Sequence, residues 1–335
     1  MPDANPWLDL VKEEILDPAR KICDPHHHLW DRGGNRYLLD ELLADTGSGH
    51  NVVSTVFVEC LSMYRADGPE SMKPVGETEF VNGIAAMSAS GGYGPIRACA
   101  GIVGYADLTL GDDAKPVLEA HIAAGNGRFR GIRHSGGWDP SPDVRNAHTN
   151  PPQGLYAQAD YRAGVAELGK LGLTYEAWQY HPQVKEVTAL AKAVPGTTMI
   201  LNHCGGPLGI GPYAGKTDSV FATWKADMAD LARCPNVVVK LGGLGMDIGP
   251  FVEHMKRPAP PSSQEIADAW GPWIKTCIEA FGADRCMFES NFPVDKISNG
   301  YATLWNAFKL MAAGASASER TDLFSGTAKR VYKLP

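Results

Sequence analysis

Residues Asp24 to Asp31 read Asp-Pro-His-His-His-Leu-Trp-Asp and follow directly on the apolar stretch Lys21-Ile22-Cys23. Side chains alternate faces along a strand, so His26 and His28 point the same way at its end and can grip one metal ion or one substrate, while His27 faces the other way. The cluster is internal and bounded by apolar residues, unlike a purification tag, which is terminal and unstructured. Groups able to do chemistry recur at the ends of later apolar runs: Glu59, Arg133-His134, Trp178-Gln179-Tyr180-His181, Asn202-His203, Lys240, and Glu289-Ser290-Asn291 with Asp295 beyond. One polar residue at a strand end is commonplace; a set on nearly every strand describes a converging site.

The elements that must position these groups are eight apolar segments, Lys21–Asp24, Val52–Glu59, Ile96–Val103, Phe129–His134, Leu173–Gln179, Thr197–Asn202, Val237–Leu241 and Arg285–Glu289. Several are continuous rather than alternating, which suits strands covered on both faces of a parallel sheet. Helical periodicity falls between them, at Asp160–Leu171, Gln183–Ala193, Phe221–Ala232, Ala267–Phe281 and Tyr301–Ala312. The alternation predicts an α/β fold, a (β/α)8 TIM barrel, with a doubly wound open sheet as the rival; no GxGxxG opens a helix after the first strand, which weakens the rival's dinucleotide-binding form. Residues 1–335 read as one domain, with a helical extension over residues 1–20 capped by Asn5-Pro6, and a closing helix over 316–335 with Ser316 and Glu319 as its capping box. The long loops Leu61–Pro74, Ser135–Gln153, Gly205–Ser219 and Gly242–Ser263 all follow predicted strands, on the barrel face where active sites are built.

Composition narrows the class. A chain of 335 residues with 44% hydrophobic content can bury a full core. The net charge of -7 and the lack of a basic block argue against nucleic acid or an anionic membrane as partner. The acidic N-terminus has no signal-peptide core and no segment offers 18 uninterrupted apolar residues, so the expected location is the cytoplasm and the expected partner a small-molecule substrate; a homo-oligomer is compatible with the sequence, which does not set the number of copies. Seven scattered cysteines without a CxxC pair read as reduced packing residues.

The segments Asp-Pro-His-His-His-Leu-Trp-Asp, Gly131-Ile132-Arg133, Asn202-His203-Cys204-Gly205-Gly206-Pro207 and Glu289-Ser290-Asn291-Phe292-Pro293-Val294-Asp295 together resemble the amidohydrolase superfamily, in particular the amidohydrolase-2 group with its sugar-acid lactonases and pyrone-dicarboxylate lactonase. The resemblance runs from about residue 21 to Thr327–Leu334. It implies a (β/α)8 barrel whose first-strand His-x-His, here His26 and His28, binds a divalent metal, usually zinc, or in some lactonases positions substrate without one. The sixth-strand histidine corresponds to His203, and a fifth-strand histidine to His181; three neutral imidazoles leave a position open for water. His181 reads equally well as a loop residue capping the helix that follows it.

The chain departs from the pattern at the eighth strand, where Asn291 stands in place of the family's aspartate, and an amide cannot take a proton near neutral pH. Substitutes for the base are Asp295, Glu289, Glu59 and His203 itself. Arg133 and Lys240, with Arg65 or Lys216, suit a substrate carboxylate; Glu59 is placed with them as a substrate contact, and Trp178, Trp30, Tyr64, Trp138 and Tyr213 as aromatic walls. Lys240 has the alternative of neutralising Glu59 or Glu289 inside the barrel. The expected activity is lactone hydrolysis on a small acidic substrate. The alternatives are a metal-dependent non-oxidative decarboxylase, which Asn291 disfavours, and a ligand-binding barrel lacking its base.

Overall fold

The computed structural model describes residues 6–335. Eight parallel strands run in sequence order: β1 (Lys21–His27), β2 (Asn51–Val58), β3 (Arg97–Gly104), β4 (Phe129–Arg133), β5 (Thr174–Ala177), β6 (Met199–Leu201), β7 (Val237–Leu241) and β8 (Cys286–Phe288). Helices α1 (Leu39–Thr46), α2 (Val75–Ala89), α3 (Lys115–Ala124), α4 (Ala159–Lys170), α5 (Val184–Ala193), α6 (Thr217–Leu231), α7 (Ser263–Phe281) and α8 (Tyr301–Met311) fall between and after them. This is a (β/α)8 barrel, and the predicted strands sit within a few residues of those observed.

The continuous apolar runs are buried on both faces, as in β7, where all of Val237–Leu241 is buried. Outward-facing residues pack under the helices. Inward-facing Cys23, Val56, Val58, Val103, Ile200, Val238 and Met287 form an apolar layer that Ala328 and Tyr332, from helix α10 (Thr327–Val331) and the residue after it, plug from below.

The barrel closes between β1 and the segment after β8. Pro25 cannot donate to a ladder, and the register with β2 slips by one residue between Asp24 and His27. Beyond the slip, Asn291 N–H donates to His26 O at 2.9 Å and His28 N–H to Phe292 O at 2.8 Å. Asp24 staples the same seam, with Oδ1 accepting from Ser290 N at 3.0 Å and Oδ2 from Tyr301 Oη at 3.0 Å.

Two expectations for the ends have different outcomes. The capping box forms as read: Ser316 N donates to Glu319 Oε2 at 2.8 Å and Glu319 N to Ser316 Oγ at 3.3 Å, opening helix α9 (Ala317–Thr321). The leading helix does not. Asn5 lies outside the described residues, and only a single turn, Leu8–Leu10, follows. Residues from Glu14 to Asp17 are held by α8 instead, with Asn306 bonding Leu16 N and Glu14 O, and Lys309 bonding Leu16 O and Asp17 O. Tertiary bonds to the backbone override local propensity there.

Above the apolar layer, Lys240 Nζ lies 2.9 Å from Glu176 Oε2 with both side chains fully buried. Glu176 also accepts from Asn202 Nδ2 and Tyr332 Oη. Lys240→Met leaves Glu176 as an uncompensated buried charge and should destabilise the fold by about 3–5 kcal/mol in urea titration, whereas adding Glu176→Leu should recover more than half of that loss. Equal stability of the single and double variants would refute the pairing as the cause.

Candidate active site

Closing the seam delivers His26, His28 and Asn291 to the same end of the barrel, and β6 adds His203. The His26 ring centroid lies 5.0 Å from that of His28 and 4.5 Å from that of His203. His27 points away, with Nε2 at 2.8 Å from Thr55 Oγ1, as period-two alternation requires. The turn after β6 is built from four consecutive left-handed residues, His203 (φ 54), Cys204 (φ 51), Gly205 (φ 76) and Gly206 (φ 64). Asn291 (φ 56) is left-handed too. Such conformations in residues other than glycine cost of order 1–3 kcal/mol each and gather where the chain must aim side chains at a site. A Cβ on Gly243 would land on the His203 ring, so only glycine lets β7's exit pass beneath it.

The outer nitrogens of His28 and His203 are freed because their inner ones are tied down by hydrogen bonds. His203 Nδ1 lies 2.7 Å from Glu289 Oε1, His26 Nδ1 lies 2.7 Å from Glu289 Oε2, and His28 Nδ1 donates to Val58 O at 2.8 Å. The His26 contact lies off the hydrogen-bonding line, which leaves Glu289 Oε2 without a well-aligned donor. Burial holds all three imidazoles well below their ordinary pKa, with Lys240 adding to the effect at His26 and Arg133 at His28 and His203, so each is neutral. Burial also raises the Glu289 carboxyl to about 8, against the opposing pull of Lys240.

A ladder of alternating charge surrounds this centre. Arg133 donates through Nε to Glu59 Oε1 and through Nη2 to Glu59 O, each at 2.6 Å, and its Nη1 lies 3.3 Å from His26 Nε2. The second Glu59 oxygen lies 3.1 Å from His148 Nε2. Burial alone would raise the Glu59 carboxyl, but His148 and Arg133 together hold it well below the usual carboxylate range. Asn291 places Nδ2 2.7 Å from Asp295 Oδ1 and thereby turns its Oδ1 to His28 Nε2 at 3.3 Å.

These groups open into a pocket of about 510 Å³ lined by His28, Arg133, His148, Trp178, His203 and Asn291, with Trp30, Tyr180, Arg32 and Arg145 among the remaining wall residues. Several expected residues lie away from the pocket wall. Lys240 does not line the pocket, because it is consumed by Glu176 deeper in the barrel, and its Nζ reaches only His26 Nδ1, at 3.3 Å. Asp295 is fully buried behind Asn291, accepting from it and from Gly245 N, and so orients the amide and does not line the pocket. His181 is not gathered with the other imidazoles: its Nδ1 accepts from Leu208 N at 3.2 Å and it lines a separate groove with Tyr213 and Lys216. Glu59 lies beneath the wall, held by Arg133 and His148, and does not line the pocket. Arg65 pairs with Glu79 on the surface.

His148 and Arg32 were not singled out by the sequence. His148 sits in the long loop after β4, which was marked by its length, but its partner Glu59 is 89 residues away and no local spacing connects them. Arg32 lies over the Trp30 ring with its guanidinium carbon 4.6 Å from the centroid, and it forms no ion pair among the described residues.

A family model described as amidohydrolase matches residues 23–334. The chain belongs to the amidohydrolase family. It is an enzyme of hydrolytic type. This amidohydrolase is 33% identical to the uncharacterized protein y4mH of Sinorhizobium fredii, over 93% of its own length and 98% of the relative's. It is 26% identical to the L-fucono-1,5-lactonase of Burkholderia multivorans, over 93% and 96% of the two chains. A solved amidohydrolase from Burkholderia multivorans with zinc bound superposes with a TM-score of 0.70 at 25% identity, covering 94% of this chain and 99% of that one. No helix among the described residues is long and apolar enough to cross a membrane.

The donors fit a divalent cation. Ligand atoms of His26, His203 and Glu289 lie within 4.8 Å of one another, but the 2.7 Å hydrogen bond from His203 Nδ1 is that of a carboxylate fixing an imidazole tautomer, the supporting role it takes behind metal-bound histidines, while the 2.7 Å approach of His26 Nδ1 is not aligned for one. The Nε2 atoms of His28 and His203 are the ones that face the pocket, while Arg133 Nη1 approaches that of His26. With Nδ1–H committed to Val58 O, His28 Nε2 is an acceptor facing another acceptor, Asn291 Oδ1, with no proton between them. A cation satisfies both. Asn291 contributes no charge and Arg133 competes at His26 Nε2, so the hold is weaker than a carboxylate ligand would give.

The pocket floor is braced by Glu77, whose Oε1 accepts from Cys60 N at 3.0 Å and Ser62 N at 2.7 Å. Burial, reinforced by Glu59, raises this carboxyl from 4.5 to about 8. A raised acid contributes stability that is complete below its unfolded value and is lost as pH rises through the folded one. Thermal stability should therefore decline between pH of about 5 and about 8, and Glu77→Gln should flatten that decline; an unchanged slope in the variant would rule Glu77 out as its source.

Proposed function

We propose that this amidohydrolase opens a lactone of a small anionic substrate, with His148 as the general base. The supporting observation is the pocket wall, which carries three guanidiniums and three imidazoles and no carboxylate. Arg133 is neutralised by Glu59 and Arg145 by Asp247, which leaves Arg32 to recognise the anionic group of the substrate. Trp30, Trp178 and Tyr180 supply flat apolar walls for a ring. The lactonase names of relatives at 23% and 26% identity agree with this substrate class.

His26, His28 and His203 with Asn291 would hold a divalent ion, zinc in this reading, which when bound acidifies a water and polarises a carbonyl. That assignment occupies His203 and leaves His148, which is partly exposed in the pocket and oriented by a buried carboxylate, to move the proton. His148 takes a proton from water as the water oxygen adds to the lactone carbonyl. The ring C–O bond then breaks, and the departing alkoxide takes the proton back. Asp295 keeps the Asn291 oxygen turned inward, and Glu59 fixes the His148 ring.

His148→Ala should lower kcat by about 10²–10⁴-fold on any lactone the enzyme opens, and Arg32→Gln should raise KM for anionic lactones while leaving kcat within a few-fold. Full activity of His148→Ala, or an Arg32→Gln effect equal on neutral and anionic lactones, would sink the assignment. For the ion, elemental analysis after dialysis against a chelator should find zinc depleted from the wild type and retained by Asn291→Asp; equal retention would remove Asn291 from the ligand set.

A further inference from the structure

We propose that the bottom of the barrel, at the opposite end of the strands from the catalytic pocket, carries a second binding site for a carboxylate with an aliphatic body. A cavity of about 370 Å³ opens between the N-terminal ends of β2, β3 and β4, the end of α2 and the C-terminal residues Leu334 and Pro335. Arg97, Arg128, Arg130 and Lys329 line it, and no aspartate or glutamate does. Lys329 is engaged by Pro335, which leaves three arginines gathered in one cavity of a chain of net charge -7.

Among the described residues none of the three arginines forms an ion pair, and each spends one nitrogen on neutral oxygens. Arg97 Nη1 donates to Pro95 O at 3.1 Å, Arg128 Nη1 to Asn82 Oδ1 at 2.6 Å, and Arg130 Nη1 to Gly127 O at 2.8 Å and Phe129 O at 2.9 Å. Lys329 Nζ donates to Pro335 O at 2.9 Å. The Nε of Arg130 is buried and has no acceptor among the described residues. A buried donor on a charged group is costly to leave unmade, and like charges gathered in a concave site repel, so an anion relieves both penalties at once.

The remainder of the cavity selects the kind of anion. Its floor is Val53, Ala85 and Ala98, small apolar residues that leave room for an alkyl chain and offer it no hydrogen bond. A bare inorganic anion would satisfy the guanidiniums and leave that floor wet. A medium-chain carboxylate covers both. Because the bottom face of such barrels serves stability, the ligand acts on the fold and not on the chemistry at the other end.

The test is calorimetric and thermal titration of the full chain with octanoate, with inorganic phosphate and chloride at matched ionic strength as the other arms. Octanoate should bind with one-to-one stoichiometry and raise the melting temperature saturably, while phosphate and chloride do so much less. The double variant Arg97→Gln/Arg130→Gln should weaken octanoate at least tenfold. Ala89→Trp, which fills the cavity and keeps all four cations, should abolish binding even if the arginine variant proves unstable. Three results would overturn the proposal: no octanoate binding, an equal effect of phosphate, or binding that survives Ala89→Trp and so occurs elsewhere.

Discussion

The main-chain bonds that close the barrel are also the bonds that assemble its catalytic end. Asn291 N–H to His26 O and His28 N–H to Phe292 O join the first strand to the segment beyond the eighth. The same residues project the imidazoles and the amide into the pocket. Closure is a long-range contact between residues 263 or more positions apart, so the site exists only when the whole sheet is complete. The one-residue slip at Pro25 makes this geometry available, since a strict ladder would have continued through proline, which has no N–H to give it.

Charge is organised around that seam so that few buried groups stand alone. Glu59, Arg133, His26, Glu289 and His203 form a continuous alternation, with His148 at the solvent end and Lys240 with Glu176 beneath. Each imidazole is neutral because burial and a neighbouring cation disfavour its charged form, and each carboxylate is held to the tautomer it fixes or the cation it balances. Such a network is expensive to build and restricts the rotamers of the side chains it joins.

Asn291 is where this amidohydrolase departs from the pattern its sequence resembles. In place of a charged ligand and base, the position carries an amide whose orientation Asp295 dictates from behind. The carboxylate has in effect moved one layer outward. The pocket surface that remains carries guanidiniums, imidazoles and the Asn291 amide, and among them His148 is partnered by a carboxylate, Glu59, from a different strand.

Much of this was legible in one dimension. Runs such as Val237-Val238-Val239 specify buried parallel strands because both faces must be apolar, and period-two alternation correctly divides His26 and His28 from His27. The capping box at Ser316 is local chemistry within four residues and forms as read. What the sequence could not decide is which of several polar strand ends face the pocket. Lys240, Asp295 and His181 look equivalent to Arg133 and His203 by position, but partners far along the chain, Glu176, Gly245 N and Leu208 N, draw them into the wall or behind it. His148 and Arg32 reach the pocket wall the same way. Local periodicity encodes which face a side chain occupies; only packing between distant segments decides whether a polar group on that face is spent on a neighbour or left for a ligand.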